Sequence, residues 1–159
     1  MNKIFIKSSV IAFCFLFSHA TFAQDTITVE AGLGTLEEAI NTHEGDAVYK
    51  LKAGSIYILE SIVEVSDMTM GSGRGLHIIG EKTDEMPAVI QVGVEGARSA
   101  FPMLFDLYND LTIKDVFLTA QNIYGVTGDG VISINDRVKV VLDNCVIDPS
   151  GENMHTFGG

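Results

Sequence analysis

The stretch LTIKDVFLTA, Leu111 to Ala120, alternates apolar and polar residues, breaks at Lys114-Asp115 and then resumes the alternation. Successive side chains of a strand point to opposite faces, so Leu111 and Ile113 share one face while Thr112 and Lys114 share the other. Asp115 falls where the alternation breaks, and aspartate tolerates the left-handed backbone angles that a tight corner needs. A second run, VKVVLDNCVID from Val138 to Asp148, repeats this grammar with Asp143-Asn144 at the break.

Two earlier runs fit the same template. Tyr49/Leu51/Ala53, Leu76/Ile78/Gly80, Leu111/Ile113/Asp115 and Val140/Leu142/Asn144 align at intervals of 27, 35 and 29 residues. Ile56, Leu118 and Ile147 follow three positions after a corner, and MLFDLYN (Met103–Asn109) and ISIN (Ile132–Asn135) supply a strand before it. A strand–turn–strand unit recurring at this length points to a solenoid, in which each coil buries its apolar face on its neighbours. A β-sandwich also uses short strands and turns, but it gives no reason for the whole unit to recur in register.

One segment breaks the β pattern. In GLGTLEEAINTHEGD (Gly32–Asp46), Thr35 precedes Glu38 by three residues as in a capping box, and Leu36, Ala39 and Ile40 share a face. The spacing predicts a helix over 36–42 that covers the open first coil, an edge a solenoid must protect.

The first 23 residues read as a secretory signal: Lys3 and Lys7, the apolar run VIAFCFLF, then TFA before Gln24. That run is too short to span a bilayer, which takes roughly 20 apolar residues. Without Lys3 and Lys7, eight basic side chains face 21 acidic ones, a formal charge of −13 over residues 24–159. Nucleic acid and anionic membranes are thereby disfavoured as partners, because both require basic surface. Cys145 is the single cysteine of that segment, so no internal disulfide forms in the exported (extracellular, periplasmic or cell-surface) chain that the signal implies.

Taken together, GTLEEAINTHEGDAVYKLKAGSIYIL, LHIIGE, PAVIQVG, DLTIKDVFLTAQN and VVLDNCVIDPSG resemble the pectate-lyase-like (pectin lyase fold) superfamily over nearly all of residues 24–159. The resemblance implies a right-handed parallel β-helix, all-β apart from the short N-terminal capping helix. Members of that superfamily usually have many more coils. Residues 24–159 are therefore expected to be the N-terminal cap and first coils of such a domain, truncated at GENMHTFGG. The superfamily includes polysaccharide lyases and hydrolases as well as carbohydrate-binding and adhesive surface proteins.

The period of two puts Lys114 and Asp143 on the outer face of adjacent rungs. In the lyases this resemblance points to, such a face carries basic residues and calcium-binding carboxylates, and Lys114 could take the proton alpha to a uronate carboxylate. The plain reading is a cross-strand charge pair. Asp115, Asp143 and Asp148, in the turns, are the candidate calcium ligands. TGDG (Thr127–Gly130) lacks the second acid of the hydrolases, and a Gly-Asp-Gly turn explains it. The histidines and Cys145 show no zinc spacing, and Cys145 reads as a small buried residue. MGSGRG (Met70–Gly75) precedes no helix and reads as a turn, not a phosphate cradle. Two functional readings follow: a polysaccharide-interacting protein resembling polysaccharide lyases, or a non-enzymatic adhesive or scaffold solenoid.

Overall fold

The computed structural model describes residues 24–43, 47–70, 75–96 and 99–148. The expected signal segment, the Gly45-Asp46 turn, residues 71–74 of the glycine-rich turn and the C-terminal GENMHTFGG lie outside the described residues.

The described residues wind through five coils. The first holds β1 (Asp25–Val29), β2 (Gly32–Leu33) and helix α1 (Thr35–Thr42). The second holds β3 (Ala47–Leu51), β4 (Ile56–Leu59), β5 (Val63–Val65) and the single-turn α2 (Asp67–Met70). In the third come β6 (Leu76–Gly80), β7 (Ala88–Val92), the hairpin β8 (Val94–Glu95) and β9 (Ser99–Ala100), and β10 (Phe105–Leu107). The fourth holds β11 (Leu111–Lys114), β12 (Val116–Thr119) and β13 (Ile132–Ile134), and the fifth β14 (Val140–Asp143) and β15 (Val146–Asp148).

Equivalent strands stack in parallel into three sheets: β1-β3-β6-β11-β14, β2-β4-β7-β12-β15 and β5-β10-β13. Only the β8–β9 hairpin pairs antiparallel among these strands. The molecule is therefore a right-handed parallel β-helix. Alternation sorts the side chains: Leu76, Ile78, Leu111 and Ile113 are fully buried, as are Ile90, Leu118, Phe105 and Leu107 from the other two sheets. In the fifth coil the inward positions are less covered, with Leu142 36% and Ile147 42% exposed.

Helix α1 fills the place in the first coil that β5, β10 and β13 occupy in later ones. It buries Leu36 and Ile40 against the coil stack. Its cap differs from the sequence expectation. Thr35 is already helical, the N-cap is Gly34 at φ 71°, and no side chain caps the helix. The reason lies upstream: Gly32 and Leu33 pair with Tyr57 and Ile58, and Gly34 donates to the Ile58 carbonyl. The chain must then turn sharply through a left-handed residue, which glycine adopts without a Cβ penalty.

The repeat alignment holds for the later coils, where Leu76, Leu111 and Val140 are in register. It slips by two for the earliest one. Tyr49 stacks on Ile78, not Leu76, and Leu51 stacks on Gly80. A slip of two keeps every side chain on its own face, so alternation alone cannot detect it. Nor is Ile56 an inward residue, because four residues separate β3 from β4 where Asp115 alone separates β11 from β12. Tyr57 stacks on Ile90 and is fully buried, while Ile56 is 49% exposed.

Candidate functional site

The outer face of the five-stranded β1-β3-β6-β11-β14 sheet carries two rows of side chains. One row runs Thr26, Val48, His77, Thr112, Val141 and the other Thr28, Lys50, Ile79, Lys114, Asp143. Lys114 and Asp143 sit on adjacent rungs, as the period of two requires, with Lys114 Nζ 2.9 Å from Asp143 Oδ2. Two rungs back, Lys50 Nζ donates to Glu81 Oε1 at 3.1 Å. The hydrogen bond and charge of Asp143 push the Lys114 ammonium above its ordinary pKa. A lysine held in that state is a poorer proton acceptor, which tells against Lys114 as a general base in this arrangement.

Asp115 is not on that face. It sits in the corner at φ 55°, 8% exposed, and its Oδ1 accepts from Asn144 Nδ2 at 2.6 Å. Asp148 ends β15 opposite Thr119, in a different sheet from Asp143. Among the described residues no three His, Cys, Asp or Glu side chains gather where they could hold a metal ion. Calcium takes about six to eight oxygen ligands. With Asp143 engaged by Lys114 and Asp115 by Asn144, these side chains do not assemble that shell.

His77 stands half-buried between Val48 and Thr112, a surface histidine of the sheet. Cys145 is half-buried; its thiol donates to the Ile113 carbonyl at 3.4 Å, and burial pushes its pKa up. A thiol that keeps its proton is a weak nucleophile.

Two outer faces escaped the sequence reading. On the β5-β10-β13 sheet, Glu64, Asp106 and Ser133 are stacked, and Asn135 Nδ2 donates to Asp106 Oδ1. The alternations VEV and FDL carry that signal, but three-residue strands are hard to distinguish from turns. On the β2-β4-β7-β12-β15 sheet, Ile56, Val89, Phe117 and Val146 form an apolar outer row. With apolar residues on both faces, those strands lose the alternation that distinguishes inside from outside.

The architecture defines a class: a right-handed parallel β-helix, with three parallel sheets whose outer faces carry the exposed side chains described above. Among solved structures, the chain is similar to a PL6 family alginate lyase, AlyGC, with a TM-score of 0.57 and 21% sequence identity. That match covers 79% of this chain and 16% of the lyase. A point mutant of the same enzyme matches with a TM-score of 0.56, 19% identity, and coverage of 79% and 18%. The chain therefore spans about a sixth of the length of the lyases it matches. No protein-family model matches it, and no curated protein matches it.

Proposed function

We propose that this chain is the N-terminal cap and first coils of an exported β-helix protein that interacts with extracellular polysaccharide and resembles polysaccharide lyases. The observation that carries the reading is the row Lys50–Ile79–Lys114 on the outer face of the β1-β3-β6-β11-β14 sheet. It places two cations two rungs apart in a chain whose overall charge is strongly negative. The fold it shares with AlyGC supports the same reading by analogy. Residues 1–23 act as the signal segment and Gln24 begins the mature chain.

The test incubates the chain, and any longer product of the same reading frame, with a panel of acidic and neutral polysaccharides, with and without added calcium. Binding to at least one acidic polysaccharide, weakened by Lys50→Ala or Lys114→Ala, is the expected result. Release of unsaturated sugars, read from their ultraviolet absorbance, would identify a lyase. No binding to any member of the panel would overturn the reading.

A second reading is a non-enzymatic adhesive or scaffold solenoid. The observation that favours it is the Lys114–Asp143 pair, which commits the best-placed basic side chain to a structural partner. Binding without turnover, unchanged by calcium, is its expected signature.

A further inference from the structure

The first turn of α1 faces the turn that follows β4 across an open groove of about 500 Å³, lined by Gly34, Glu37, Glu38, Asn41, Thr42, Glu60 and Ser61. Glu37 reaches across this groove. Its Oε1 accepts the backbone N–H of Glu60 at 2.5 Å and that of Ser61 at 3.2 Å. One carboxylate oxygen thus ties the capping helix to the second coil. The other oxygen, Oε2, is buried with no hydrogen-bond partner.

The surroundings are acidic. Glu60 folds over the helix start so closely that a Cβ on Gly34 would lie 2.4 Å from Glu60 Oε2. Glu38 lies on the same turn of α1, and no basic side chain lines the groove among the described residues. An ionised Glu37 therefore leaves a buried, unpaired anionic oxygen in a groove that also holds the Glu60 charge. A protonated Glu37 removes that charge and still offers an oxygen to the two N–H groups.

We propose that Glu37 is an acid-strengthened latch: the contact between the capping helix and the β4–β5 turn tightens when Glu37 takes up a proton and loosens when it ionises opposite Glu60. Burial, the largest influence, raises the Glu37 pKa, and the Glu60 charge adds to it; the backbone hydrogen bonds oppose both. The sign follows from linkage. A carboxyl whose pKa is raised in the folded chain favours the folded state fully below its unfolded pKa. That contribution is lost as pH rises through the folded pKa. The latch therefore tightens as pH falls through the folded pKa and loosens above it. Opening the cap exposes the edge that α1 protects, so the device sets the pH range in which the first coil stays covered.

The experiment is site-resolved amide hydrogen exchange on the full chain. Protection of the Glu60 and Ser61 amides is normalised to that of core amides such as Tyr49 and Ile113, from about pH 7 down to about pH 4, below the ordinary glutamate value. In the wild type, normalised protection at Glu60 and Ser61 is expected to rise several-fold as pH falls. Glu37→Gln, which carries no charge at any pH, should abolish the pH dependence. Glu60→Gln removes the facing charge but keeps the clamp and the helix, so it should shrink the rise without abolishing it. Protection that follows the wild-type pH course in both variants overturns the proposal, and so does a wild type whose normalised protection is flat. If Glu37→Gln does not fold, Glu60→Gln and the wild type decide the matter.

Discussion

Asn144 Nδ2 donates to Asp115 Oδ1 at 2.6 Å, and both residues hold left-handed backbones, at φ 52° and φ 55°. Two successive coils thus turn the same corner with the same conformation, and the side chains of the corner bond along the solenoid axis. Left-handed geometry is strained for most residues and mild for Asn and Asp. Asp115→Asn should therefore cost less than about 1 kcal/mol, because an amide oxygen can accept from Asn144 in place of the carboxylate. Asp115→Ala loses the acceptor and adds strain, an expected loss of about 1–3 kcal/mol. Asp115→Val should be worse than Ala, since a β-branched side chain crowds that conformation. Urea unfolding of the three variants checks the order, and a valine as mild as asparagine would show that the corner is not strained.

Gly80 stands one rung below Asp115, and a Cβ there would lie 2.0 Å from the Asp115 carbonyl oxygen and 3.3 Å from Val116 Cγ2. The obstructing atom is backbone, so no rotamer change relieves it. Gly80→Ala is expected to cost at least about 3 kcal/mol or to prevent folding outright. Gly130 is the control, with nothing within 4 Å of its Cβ position. Gly130→Ala should stay within about 0.5 kcal/mol of wild type. Thermal melts of the two variants side by side separate a packing glycine from a turn glycine.

That contrast also marks what was legible in the sequence. Leu111, Ile113 and Asp115 disclose a coil because alternation and a corner residue are both local signals. The stacking of Leu76, Leu111 and Val140 followed from repeating them. The repeat puts Tyr49 two residues out of register because such a shift preserves every face, and its true partner, Ile78, is fixed only by pairing with the next coil. Thr35 looked like a helix cap from its spacing to Glu38, but pairing of Gly32 and Leu33 with β4 moved the cap to Gly34. Of the outer face, Lys114 and Asp143 could be read from the alternation. Glu37, by contrast, meets Glu60 and Ser61 only through the return of the chain, which no local pattern encodes.

Lys114 and Asp143 make a pair whose side chains are 47% and 57% exposed, so its effect on folding is expected to be small and weakened by salt. The sign of its pH dependence is fixed. The Lys114 pKa is raised in the folded chain, so its contribution is present through neutral pH and is lost as pH climbs past the ordinary lysine value. Lys114→Met should leave the melting temperature at neutral pH nearly unchanged and flatten the alkaline limb of the stability curve. If the row binds acidic polysaccharide, the same variant should weaken binding far more than stability, and Asp143→Asn, which frees the lysine, should strengthen it. Isothermal titration with an acidic oligosaccharide, alongside melts of both variants, distinguishes a ligand-facing lysine from a purely structural one.

Tyr57 lies fully buried in β4, yet its hydroxyl donates to the Val29 carbonyl at 3.0 Å and accepts the Lys52 N–H at 2.8 Å. One phenol therefore bridges the first and second coils at the end of the β1–β3 pairing, where Val29 pairs with Leu51. Tyr57→Phe keeps the ring and its packing, so the change isolates the hydroxyl. It strips the Lys52 N–H and the Val29 carbonyl of that partner, an expected loss of about 1–3 kcal/mol. The pH dependence supplies an independent check. Burial raises the Tyr57 pKa, so the phenol favours the folded state fully below the ordinary tyrosine value, and that contribution is lost as pH rises through the folded pKa. Subtracting the stability curve of Tyr57→Phe from that of the wild type should give a constant difference up to about pH 9 and a decline beyond about pH 10. A difference that stays constant through the alkaline range would mean that the phenol is not held neutral by its burial between the two coils.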